Sequence, residues 1–149
     1  MIRFVLANAL AALSLFTLAL YTSPALKAAE PPEEARLLAV SFHSANCPAC
    51  QVLEPRINTV IPEYRGAGVK FVRFDFTFKE PEALEALARE KGLDDIFNDY
   101  RGATGFMLLV ERGTGDILST ITVRDTVDDI RSAMDGALGE TGLIRMAEL

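Results

Sequence analysis

From Leu37 onward the chain switches between two kinds of apolar pattern, and the switches mark out elements. Leu37-Leu38-Ala39-Val40-Ser41-Phe42 is an apolar run of strand length. It is followed by Val52, Leu53, Ile57, Val60, Ile61 and Tyr64 at helical spacing. Val69 to Phe76, rich in β-branched and aromatic residues, predicts a second buried strand. Pro81 to Lys91 predicts a helix with Leu84, Leu87, Ala88 and Lys91 along one side and Gly92 as its stop. Leu93, Ile96, Phe97 and Tyr100 predict a further short helix before Gly102. Phe106 to Glu111 and Ile117 to Val123 read as strands joined by a turn over Arg112 to Asp116. Thr126-x-x-Asp129 resembles a capping box, after which Val127, Ile130, Met134, Ala137 and Leu138 line a last helix expected to end at Gly139. Strands separated by helices pair in parallel, whereas a tight turn demands an antiparallel pair. The predicted fold is therefore α/β, a mixed β-sheet made of a parallel βαβ unit and a C-terminal β-hairpin, flanked by helices.

The chemistry is concentrated in one place. Cys47-Pro48-Ala49-Cys50 holds the only two cysteines of the 149 residues, three apart, between the first strand and the first helix. A thiol at a helix start lies beside unpaired backbone N–H groups and the positive end of the helix dipole, which favour the thiolate. Lowering a thiol pKa from ~8.5 to ~7 raises the thiolate fraction at neutral pH from a few per cent to about half. Cys47 is the expected nucleophile, Pro48 fills the first helical position where its missing N–H costs nothing, and the N–H groups of Ala49 and Cys50 remain free for a thiolate. Cys50, one turn deeper, is the expected resolving thiol. Two other readings of the pair stand beside this one. The cysteines could form a structural disulfide or a reduced buried pair, although so small a loop constrains an unfolded chain little. With His43, the only histidine, they could also hold copper(I) in a copper-handling module, whereas one His and two Cys do not close a four-ligand zinc site. His43 has two roles open to it, tuning the thiolate or simply packing as an imidazole at the outward side of the strand end. The phenylalanines at 71, 74, 76 and 78 are expected in the core.

Charge and the N-terminus bear on partners and location. Met1-Ile2-Arg3 precedes a nearly uncharged, apolar run from Phe4 to Tyr21, and Ser23-Pro24-Ala25 fits a small-x-small cleavage site. Residues 1–25 are thus a signal peptide or an N-terminal membrane anchor, 26–34 with Pro31-Pro32 a linker, 35–139 the folded domain and 140–149 a C-terminal tail. Either N-terminal reading places the domain outside the cytoplasm, periplasmic or envelope-associated, where disulfides persist. With 15 basic and 21 acidic side chains and no basic cluster, charge-driven binding to nucleic acid or anionic lipid is not expected. Membrane contact is expected only if the N-terminal segment is retained.

A strand, a C-x-x-C at a helix start, Pro55 five residues after the second cysteine, a second strand ending in Phe74-Asp75, and Arg101-Gly102 ahead of a strand hairpin together resemble the thioredoxin superfamily. The resemblance spans roughly residues 35 to 138. It implies a thioredoxin-like fold and a protein-disulfide oxidoreductase whose redox-active disulfide joins Cys47 and Cys50. It implies partner-protein thiols or disulfides as substrates, a partner that recycles the site, and no cofactor. It also puts Thr104, in Gly102-Ala103-Thr104-Gly105, where the family typically has a cis-proline facing the cysteines. A cis bond before threonine costs ~2.5–4 kcal/mol, so a trans bond is expected there. Ser41 stands where the best-known members carry a buried aspartate that assists proton transfer. A third possibility within the same fold is a binding domain that has lost redox activity.

Overall fold

The computed structural model describes residues 35–147. The signal or anchor expected over 1–25 and the linker over 26–34 lie outside the described residues. Four strands form one sheet in the order β2-β1-β3-β4: β1 is Leu37–His43, β2 Val69–Asp75, β3 Phe106–Glu111 and β4 Ile117–Thr122. β1 runs parallel to β2, with Leu37 opposite Val69 and His43 opposite Asp75. It runs antiparallel to β3, which is paired antiparallel with β4 through the tight turn. The mixed sheet is that expected from the pattern of helix-separated strands and one hairpin.

β1 sits inside the sheet with helices on both of its faces, which is why it is almost uniformly apolar. Leu37 and Ala39 face a core shared with α1 (Pro48–Val60) and α4 (Val127–Ala147), where Leu53, Ile57, Ile130 and Met134 are buried. Leu38, Val40 and Phe42 face a second core, shared with α2 (Pro81–Lys91) and α3 (Asp94–Asp99), where Leu84, Ala88, Ile96 and Phe97 are buried. In that core Phe42 packs on Phe74, Phe106 and Tyr100 with ring centroids 4.9 to 5.7 Å apart. These contacts hold the C-terminal end of β1 in place, and that end leads into Cys47.

The end of α2 and the start of α4 follow the sequence signals closely. Gly92 closes α2 in the left-handed conformation, with Gly92 N–H on the Arg89 carbonyl and Leu93 N–H on the Ala88 carbonyl, a Schellman pattern. At the start of α4, Thr126 N–H donates to the Asp129 carboxylate and Asp129 N–H to the Thr126 hydroxyl, a reciprocal cap.

Three expectations are corrected. α4 does not stop at Gly139 but runs on to Ala147. That glycine has no positive φ, and Ala137 and Thr141 are buried on either side of it, so packing carries the helix through. Phe78 is not in the core: it is 92% exposed in the loop after β2, beyond the last residue that pairs with β1. His43 does not look outward, for it is only 9% exposed. An in/out alternation presumes one solvated face, and β1 has none. Among the described residues, no helix is long and apolar enough to cross a membrane.

Candidate active site

β1 delivers the chain to a short turn, Ser44 to Asn46, in which Cys47 N–H donates to the Ser44 carbonyl at 3.1 Å. The turn is tied to the loop after β2 by Ala45 N–H on the Thr77 hydroxyl at 2.8 Å and by Phe76 N–H on the His43 carbonyl at 2.8 Å. Asn46 is exposed there. Cys47 then caps α1: its backbone is extended, and its sulfur accepts the Cys50 N–H at 3.2 Å. Pro48 takes the first helical position, as its fixed φ and missing N–H favour. One turn in, Cys50 is 3% exposed with its sulfur 3.9 Å from the Phe42 carbonyl. Both cysteines are free thiols in this structure.

The two sulfurs therefore have opposite electrostatic settings. Burial works against a Cys47 thiolate. It is outweighed by hydrogen bonds from the Cys50 thiol, the Thr104 hydroxyl and the backbone N–H groups of Cys50 and Ala49, which hold the Cys47 pKa below the ordinary thiol value. Burial pushes the Cys50 thiol up, and the neighbouring Cys47 sulfur pushes it further in the same direction. An exchangeable dithiol needs this asymmetry, with one sulfur ready to attack and the other held protonated until a mixed disulfide forms.

The loop before β3 reaches the same place. Gly105 N–H donates to the Phe42 carbonyl at 2.9 Å, which pins the loop against the end of β1. Gly105 has φ +97, and a Cβ built on it would lie 2.8 Å from the Ala49 Cβ and 3.3 Å from the Cys47 sulfur. Only a glycine lets the backbone pass so close to the cysteines. Thr104, next to it, is half-buried with its hydroxyl directed to the two thiols. Among the described residues every peptide bond is trans, including the one before Thr104.

His43 lies at the other side of Cys50. Its Nδ1 is 3.5 Å from the Glu54 carboxylate, which also pairs with Arg73, while Arg73 reaches Asp75 at 3.5 Å. Glu54 and Arg73 escaped the sequence reading. Glu54 was within reach of it, because it follows Cys50 by one helical turn and so shares its face of α1. Arg73 carries no such signal, since its closeness comes from strand pairing opposite Ser41. The structure thus brings Cys47, Pro48, Ala49, Cys50 and Thr104 together, with His43 behind Cys50. Among the described residues no three His, Cys, Asp or Glu side chains are grouped to hold an ion, so His43 does not join Cys47 and Cys50 in a three-ligand set.

No family model matches the sequence, and no curated protein matches it. Among solved structures the chain is similar to StoA from Bacillus subtilis, with 16% identity over 69% of this chain and 85% of that one and a TM-score of 0.48. It is also similar to a putative thiol:disulfide interchange protein DsbE from Chlorobium tepidum, with 19% identity over 71% and 82% and a TM-score of 0.47. A putative thioredoxin from Neisseria meningitidis shows 16% identity over 71% and 77% and a TM-score of 0.47. In strand order, in strand sense and in the placing of its C-x-x-C at the head of α1, the chain has a thioredoxin-like fold.

Proposed function

We propose that the domain is a thiol–disulfide oxidoreductase of the cell envelope that exchanges a Cys47–Cys50 disulfide with the thiols of partner proteins. One observation carries this reading: a half-exposed helix-capping thiol with a lowered pKa stands one turn from a buried thiol with a raised one. In the reductive direction the Cys47 thiolate attacks a partner disulfide, a Cys47–partner bond forms, and one partner sulfur leaves as thiolate. Cys50 then attacks Cys47, the intramolecular disulfide forms and the second partner sulfur leaves. The oxidative direction is the reverse. Thr104 and the N–H groups of Ala49 and Cys50 hold the Cys47 charge in both, and a second protein restores the starting redox state.

The cysteine roles are tested by trapping. Cys50→Ser accumulates mixed disulfides with partner proteins, and Cys47→Ser accumulates almost none. Equal trapping by the two variants, or by neither, contradicts the assignment. Location is tested separately: a reporter fused after Glu34 is exported, and deleting residues 1–25 keeps it in the cytoplasm. Retention of the intact fusion in the cytoplasm contradicts the envelope assignment.

A further inference from the structure

Resolution of a mixed disulfide on Cys47 requires Cys50 to lose its proton, yet Cys50 is buried and the Phe42 carbonyl 3.9 Å from its sulfur cannot take one. Behind Cys50, between α1, β1 and β2, lies an open cleft of about 110 Å³. Its lining is mostly apolar, and its polar groups are buried Cys50 and His43, half-buried Ser41 and Glu54, and exposed Asn58 and Arg73. That is room for several waters, with polar groups to bind them. His43 is the only histidine of the chain, and a neutral imidazole has one ring nitrogen that can accept a proton. Its Nδ1 lies 3.5 Å from the Glu54 carboxylate, and a neutral imidazole with its proton on that nitrogen keeps a lone pair on Nε2. The charged or titratable groups around it are Cys50 and Glu54 from α1 and Arg73 and Asp75 from β2. Gly105 and Phe106, on the β3 side, add none.

We propose that His43, oriented by Glu54, accepts the Cys50 proton through water in this cleft when Cys50 resolves a mixed disulfide. The inference rests on the exchange reaction above. In the step, the Cys50 S–H proton passes by way of water to His43 Nε2. The Cys50 sulfur bonds to the Cys47 sulfur, the Cys47–partner bond breaks, and its electron pair leaves on the partner thiolate. The proton on His43 then returns to solvent through the cleft. Ser41 offers a hydroxyl to the water but no charge, so in this chain the carboxylate that supports proton transfer comes from the helix side.

Reacting the reduced full chain with one equivalent of a chromogenic aromatic disulfide separates the two steps. The first thiolate released reports attack by Cys47, and the second reports resolution by Cys50. His43→Gln slows the second phase about tenfold or more near neutral pH, and the loss shrinks as pH rises and hydroxide replaces the base. Added imidazole partly restores the second phase in His43→Ala, and Glu54→Gln slows it with a shifted pH profile. A second phase within about twofold of the parent in both histidine variants overturns the proposal. So does an equal slowing at every pH without rescue by imidazole, which makes His43 a packing residue. Should either histidine variant fail to fold, an unaltered pH profile in Glu54→Gln overturns it. A parent that shows no second phase refutes the exchange reaction itself, so the two failures are distinguishable.

Discussion

Replacing Gly105 with alanine tests how tightly the loop before β3 is fitted to the cysteines. Two costs add. The φ of +97 is one that side chains with a Cβ rarely adopt, and forcing it costs about 1–2 kcal/mol. The new Cβ would also stand 2.8 Å from the Ala49 Cβ, against a comfortable carbon–carbon separation of about 3.5–4.0 Å. The Ala49 Cβ is fixed to the backbone and cannot swing away, so the first turn of α1 must shift, at about 1–2 kcal/mol more. The expected total is about 2–4 kcal/mol, or a fall in Tm of roughly 10 °C for a domain of this size. Because Cys47 and Ala49 move with that turn, Cys47 loses part of its hydrogen bonding and its pKa rises. Gly102→Ala is the control: Gly102 has φ +79 but nothing within 4 Å of a built Cβ, so it carries only the backbone cost, about 1–2 kcal/mol. Denaturant unfolding and the pH dependence of Cys47 alkylation are measured on both variants. If Gly105→Ala is no less stable than Gly102→Ala and alkylates like the parent, the close approach of the loop to the site is refuted.

Further outcomes follow from the same structure. Thr104→Val keeps shape but removes a hydroxyl that stabilises the Cys47 thiolate, so alkylation at neutral pH slows several-fold with a stability change of about 1 kcal/mol or less. Tyr64 donates to Asp135 at 2.7 Å, and burial together with that carboxylate pushes its pKa up to about 12. Its hydroxyl therefore stabilises the fold fully below pH ~10, the unfolded value, and the contribution is lost as pH rises through about 12; Tyr64→Phe should cost about 1 kcal/mol at neutral pH, and the gap to the parent should close over that window. Gly136 and Gly139 lie inside α4 with open space around a built Cβ, so Gly136→Ala and Gly139→Ala should each raise stability by about 0.5–1 kcal/mol in urea unfolding.

Much of the site was legible in the chain because local rules decide it. A C-x-x-C between an apolar strand and a helical pattern dictates one capping thiol and one buried thiol, and Thr126 with Asp129 or Gly92 likewise mark helix ends without tertiary help. What was not legible depends on which faces of each element are covered. His43 was placed outward because its strand was given one solvated face, whereas helices lie on both faces of β1. Phe78 was counted with the other phenylalanines although strand pairing ends at Asp75, three residues earlier. Gly139 carries the composition of a helix stop, yet side-chain burial on both sides of it keeps α4 going. The pairing of Arg73 with Glu54 and the cleft beside His43 arise only when β2 docks against β1 and α1 crosses them.

The central claim is that Cys47 and Cys50 are an exchangeable redox pair, and the reduction potential of the purified domain tests it most directly. Equilibrated against glutathione or dithiothreitol buffers, the pair should interconvert reversibly between dithiol and intramolecular disulfide, at a potential between about −120 and −270 mV. A disulfide that resists reduction down to about −300 mV, or a pair that never closes, contradicts it.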